Sequence, residues 1–230
     1  YFRGMKSEKD LISVPADLLI VDEFDQCNVE NLPLAEERLA ASDYALKVKA
    51  STPVNVNGPI DREYAASDKR SWMLKCPHCG LYQKLGWETH FVRPHKGLDL
   101  ENSSFLPYVP RDTAFNEELF IELASPTWEM AQTSMAHDLR AVCTRCQKAI
   151  DRLSKGEWVS EHPNRSKHGY HVTRMYSPKK LMSSMFHDFI VAQSSLSRLA
   201  NFYRLSLGES YDVAGEGLSE AVLEAIAQSY

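Results

Sequence analysis

No apolar run in the 230-residue chain approaches the roughly 20 residues that a membrane-spanning helix requires, and no signal peptide opens it. The sequence therefore argues against a membrane protein. Nor is there a surplus of positive charge: 31 acidic residues against 26 basic give a net charge of −5. Global attraction to nucleic acid is excluded, so any such site must be local. The phosphate-cradling pattern GxxxxGK[ST] occurs nowhere. Cysteine is scarce at five, yet four of them form two CxxC pairs, which points to a metal in a reducing compartment rather than to disulfides. The fifth, Cys27, reads as a small buried hydrophobe. What remains is ordinary globular composition, 43% hydrophobic and 25% charged, enough for one large domain or two small ones.

The most informative stretch is Leu18-Leu19-Ile20-Val21-Asp22-Glu23-Phe24-Asp25. Four aliphatic residues followed at once by Asp-Glu predict a strand buried on both faces and ending in two carboxylates. Parallel α/β sheets bind ligands at the carboxyl ends of their strands. A nucleotide hydrolase needs a carboxylate there for Mg²⁺ and a second to activate water, which makes Asp22 the metal-side group and Glu23 the candidate general base. A buried strand with two solvated acids at its end is the plainer reading. Downstream, 32–41 reads as a short amphipathic helix and 44–50 as the next strand, ending at Ser51-Thr52-Pro53. Strand, helix, strand is the grammar of a parallel sheet.

A short helix is expected near 61–68, followed by Cys76-Pro77-His78-Cys79-Gly80 and, much later, Cys143-Thr144-Arg145-Cys146. Four thiolates in two CxxC pairs make a closed, structural Zn²⁺ site with no position left for water. About 60 residues separate the pairs, against 15–20 in a compact zinc ribbon. Within this insertion, 84–88 reads as a hairpin arm, and 114–124 and 130–139 as helices. Gly80 follows the first pair, whereas Gln147 takes the equivalent place in the second. Basic residues gather here: Lys69, Arg70, Lys75 and Lys84 around the first pair, Arg145, Lys148 and Arg152 around the second. With Trp72 and Trp87 nearby they form a candidate phosphate-facing, DNA-contacting surface; a solvated face around a structural zinc is the alternative. A strand is expected at 169–174, then a long helix over 181–207 introduced by Ser177-Pro178 and stopped by Gly208. Residues 209–230 read as a helical linker.

In order along the chain, Ser13-Val14-Pro15-Ala16-Asp17 running into LLIVDEFD, Lys49-Ala50-Ser51-Thr52-Pro53, Ile60-Asp61-Arg62-Glu63-Tyr64 with the first CxxC, Gly156-Glu157-Trp158, Gly169-Tyr170-His171 to Ser177-Pro178, and Leu207-Gly208-Glu209-Ser210-Tyr211 resemble the large subunit of tailed-phage terminase. This is the lambda-type DNA-packaging ATPase–nuclease family. The resemblance implies an α/β fold: a partial P-loop NTPase parallel sheet over 1–70, a zinc-ribbon-like subdomain inserted at 71–160, a return to the ATPase core at 161–208, and a C-terminal helical linker at 209–230. It makes Asp22 and Glu23 the Walker B pair and Ser51, Thr52 and Pro53 the motif coupling γ-phosphate loss to DNA movement. Arg174 is a further candidate near the nucleotide. Implied cofactors are ATP, Mg²⁺ and a structural Zn²⁺. Implied partners are double-stranded DNA, the terminase small subunit, the portal of the procapsid and further copies of the motor subunit, all in the host cytoplasm. The phosphate loop is expected upstream of Tyr1 and a metal-dependent endonuclease after Tyr230, so the stretch alone is expected to be inactive. Two other readings are open: a DExD-type helicase fragment, and a non-catalytic zinc-ribbon DNA-binding protein.

Overall fold

The computed structural model describes residues 4–5, 7–11, 14–94, 105–108, 110–111 and 139–213. The helices expected at 114–124 and 130–139, Leu139 apart, and the linker beyond 213 lie outside the described residues. Among the described residues the chain is a mixed α/β fold of small sheets and short helices.

β1 (Leu18–Val21) and β2 (Leu46–Lys49) pair in parallel, in register from Leu18–Leu46 to Val21–Lys49. Between them runs α1 (Leu32–Glu36), with Pro33 in its first turn, where a missing N–H costs nothing, and a 3-10 turn at Glu37–Leu39. Alternation places Leu18, Ile20, Leu46 and Val48 on one face, and all four are exposed at 47–61%. The expectation of a strand buried on both faces is thus corrected. Only Val21, on the opposite face, is fully buried, because nothing among the described residues covers the first face.

α2 (Pro59–Ala65) leads to β3 (Arg70–Lys75), which turns antiparallel into β4 (Tyr82–Lys84). The segment expected as a hairpin arm is instead the end of β4 followed by α3 (Trp87–His90). β5 (Val92–Pro94) pairs with β6 (Phe105–Pro107), and β7 (Ala141–Val142) with β8 (Ala149–Ile150). β9 (Gly156–Ser160) lies antiparallel to β3, and β10 (Tyr170–His171) parallel to it. One sheet thus joins strands from before and after the long insertion.

The single long helix expected over 181–207 is two: α4 (Met182–Ala192) and α5 (Leu196–Phe202), with a π-helical turn at Tyr203–Leu207 before Gly208. Ser195 breaks it, its hydroxyl accepting the Arg198 N–H at 3.3 Å as a new N-cap. Ser177-Pro178 does not cap α4, which begins only after Leu181. The main core lies between the cysteine-bearing hairpins and α4–α5. Trp87, Phe91, Phe189 and Phe202 interlock there with ring centroids 5.1–5.8 Å apart. Trp87 is 2% exposed, so it is core and not a base-stacking surface.

The joint of the fold is Asp68, whose side chain is 2% exposed. Its carboxylate accepts from Arg70 Nε at 2.7 Å, His168 Nδ1 at 2.7 Å and the Gly169 N–H at 3.0 Å. Burial opposes ionisation, but these three donors hold the carboxyl well below its usual range.

Two expectations follow. Phe189→Ala should lower unfolding free energy by about 3–5 kcal/mol in urea titration, since it empties a fully buried aromatic site. The Asp68 carboxyl titrates lower folded than unfolded, so its stabilisation is complete above about pH 4 and drains away as pH falls towards the folded value. In urea melts between pH 7 and pH 2, wild type should therefore lose stability more steeply at the acid end than Asp68→Asn.

Candidate functional site

The ladder between β1 and β2 runs on past the strands. Ala50 N donates to Val21 O at 2.9 Å and Phe24 N to Ala50 O at 3.0 Å, so the chain after β1 folds over the carboxyl end of β2. Asp22 and Glu23 sit exposed on that turn. Asp22 Oδ1 accepts the Glu23 N–H at 3.0 Å, and Glu23 has the left-handed backbone φ 51°, ψ 44°. A non-glycine residue adopts this conformation only at some cost in strain.

Ser51 is brought directly alongside. Its hydroxyl accepts the Asp25 N–H at 3.0 Å and donates to Thr52 O at 3.2 Å, while Pro53 is buried behind it. The sequence-derived residues 22–23 and 51–53 therefore converge on one end of one parallel sheet. Asp25, next to the motif but given no role by it, makes the densest contacts. Its carboxylate accepts from Val54 N at 2.9 Å and Ile60 N at 2.6 Å. Arg174, by contrast, is exposed in a 3-10 turn after β10.

The second cluster lies in two turns. Cys76 and Cys79 occupy the turn between β3 and β4, Cys143 and Cys146 the turn between β7 and β8. Their four Sγ atoms all lie within 4.8 Å of one another. Cys76–Cys146 is 3.7 Å and Cys79–Cys143 3.6 Å. Four sulfurs about 2.3 Å from a central Zn²⁺ sit about 3.8 Å apart, whereas a disulfide spans about 2.05 Å, so the arrangement suits a tetrahedral metal. The two turns match: Gly80 N donates to Cys76 O and Gln147 N to Cys143 O, both at 2.9 Å. Gln147 adopts the φ of 60° that glycine takes as Gly80 (75°), and its amide steadies the turn by donating to Cys143 O and Thr144 O.

Around the sulfurs is a buried amide that no spacing rule reveals. Gln83 Nε2 donates to Cys143 Sγ at 3.4 Å, and its Oε1 takes the Thr144 N–H at 3.2 Å. His90 Nε2 completes it at 3.0 Å; its Nδ1 already accepts the Gly86 N–H, so Nε2 carries the proton. Burial opposes ionisation of Cys143, but the N–H groups of Cys146 and Arg145 and the Gln83 amide bring the thiol down to about 6. The Lys148 N–H favours the Cys146 thiolate, yet burial and the neighbouring sulfurs push it up to about 11.

The basic residues are dispersed by specific contacts. Arg70 is paired with Asp68 and sits 5.6 Å over the Tyr170 ring, and Lys69 forms the bend before β3 with φ 50°. Arg152 is buried and donates to the carbonyls of Met175, Ser177 and Lys180. Lys75, Lys84, Arg145 and Lys148 are exposed around the cysteine turns.

Comparison with known families supplies the decisive match: the description "phage terminase large subunit gpA, ATPase domain" fits residues 1–162. The chain belongs to this family. Terminase membership makes it part of the ATPase of a phage DNA-packaging motor, and of the three readings open at the sequence it favours the first. The ATPase family implies use of nucleotide and Mg²⁺. The match takes in both cysteine pairs, Asp22–Asp25 and Ser51–Pro53. No curated protein and no solved structure matches the chain. Among the described residues no helix is long and apolar enough to cross a membrane.

Purified full-length protein should carry about one zinc per chain, with its four CxxC thiols protected until a strong chelator is added. Cys143→Ser should bring zinc to near zero by atomic absorption.

Proposed function

We propose that the chain supplies the Walker B and coupling half of a terminase motor, in which ATP hydrolysis drives double-stranded DNA into a procapsid. The observation that carries this is the junction of the Asp22–Asp25 turn with Ala50 and Ser51: two exposed carboxylates on a turn stitched through Phe24 and Asp25 to the hydroxyl-bearing end of the neighbouring parallel strand. Asp22 would hold Mg²⁺ through the water shell that this hard cation retains, and the ion would supply charge to offset the phosphates. Glu23, fixed by its left-handed turn, would accept the proton of the attacking water. Ser51, Thr52 and Pro53 would report phosphate loss through the Ser51 hydroxyl, which already accepts the Asp25 N–H from the turn bearing Glu23.

A cavity of about 750 Å³ separates β2 from β10 and is lined by Val48, Lys49, Ser51, Gly169, Tyr170 and His171. Among the described residues β2 pairs only with β1, and β10 only with β3. We assign this gap to a further parallel strand, carrying the phosphate loop expected upstream, which would complete a P-loop sheet. Zinc at the four cysteines is structural in this reading and fastens the insertion to the core. Exposed Lys75, Lys84, Arg145 and Lys148 face DNA phosphates around it. Small-subunit, portal and endonuclease functions, oligomeric assembly and a place in the host cytoplasm follow from the same reading.

In the full-length protein, Glu23→Gln should lower kcat for ATP at least about 100-fold while nucleotide affinity stays within about 3-fold. Asp22→Asn should abolish Mg²⁺-dependent turnover with the fold intact by circular dichroism. Unchanged turnover in both variants would refute the assignment.

A further inference from the structure

We propose that Asp25 is a positioning residue for ATP turnover: it sets the geometry of the Glu23 turn by clamping it to the segment after β2. The inference rests on the ATPase reading above and names a residue which that reading does not use.

Three observations carry it. First, the Asp25 carboxylate uses both oxygens on backbone donors from two other places, Oδ2 on Val54 N and Oδ1 on Ile60 N. Ionised acceptors make such bonds short and strong. Second, Ile60 N belongs to the first turn of α2, whose own cap position, Gly58, offers no side chain and whose next residue, Pro59, has no N–H. Asp25 therefore performs from across the fold the capping that α2 lacks locally. Third, the approach is too close to admit a larger residue: a Cβ on Gly58 would lie 2.9 Å from Asn55 O and 3.1 Å from Asp25 Oδ2.

The Asp25 backbone completes the clamp by donating to Ser51 Oγ. Within the four residues from Asp22 to Asp25, the exposed pair therefore stands on a turn fixed at Phe24 to Ala50 and at Asp25 to Ser51, Val54 and Ile60. A shift of residues 51–54 on phosphate loss would be felt at Glu23 through Asp25 and not through the strand ladder alone. Asp25 itself touches neither nucleotide nor water in this scheme; it acts by holding Glu23.

The test uses the full-length protein and ATP itself. Asp25→Asn keeps the side chain's size but turns one acceptor into an N–H₂ facing a backbone N–H; Asp25→Glu keeps the carboxylate. Asp25→Asn should lower kcat about 10- to 100-fold with KM within about 3-fold and little change in melting temperature, and Asp25→Glu should regain part of the loss. Wild-type kcat in Asp25→Asn overturns the proposal, and so does a parallel loss of nucleotide binding, which marks a merely structural role. Hydrogen exchange on the wild type decides independently of how the variants fold. The Val54 and Ile60 amides should be strongly protected, and free exchange at both overturns the clamp. Glu23→Gln in the same assay separates the two claims. If wild type turns over, Glu23→Gln is dead and Asp25→Asn is unimpaired, only the clamp falls. If wild type hydrolyses no ATP, the ATPase reading falls and the clamp with it.

Discussion

The architecture depends on one buried carboxylate. Asp68 terminates the segment leading out of α2, and its two oxygens draw Arg70 of β3, His168 and the Gly169 backbone into a single knot. Its main chain is as fully engaged: the N–H donates to Lys167 O, and the carbonyl receives Ser160 Oγ and the N–H groups of Glu161 and His162. Segments separated by about a hundred residues of sequence meet at this point. A charge taken out of water is tolerated only when its donors are all in place, so the same group that ties the segments together also penalises any arrangement that leaves one out.

Much of the site was legible because its chemistry is local. An aliphatic run ending in Asp22-Glu23 and an alternating run ending in Ser51 announce strand ends, and parallel pairing then brings the ends together of itself. The cysteine pairs were legible for the same reason, each being a complete turn of four residues. What stayed hidden was tertiary. Nothing in the spacing marks Gln83 as a donor to Cys143, since the two meet only when β4 returns along β3 and the second turn docks against it. Asp25 lay in plain sight within the motif, but its partners Val54 and Ile60 are far along the chain and contribute only backbone N–H groups, which have no sequence signature.

The errors have physical causes too. Ser177-Pro178 has the composition of a helix start, but the Ser177 carbonyl is claimed by buried Arg152, and the helix begins after Leu181. Arg152 itself was grouped with surface cations on composition alone, whereas its guanidinium satisfies three carbonyl groups in the interior. The break at Ser195 shows how one hydroxyl outweighs a continuous apolar stripe when it can cap a new first turn.

Both ends of the segment 112–138 are anchored on one small structure. Arg111 N donates to Gln147 O on the second cysteine turn, and β7 at Ala141 enters that same turn. The second cysteine turn is therefore a clasp: loosening it frees the chain at Arg111 and at Ala141 together.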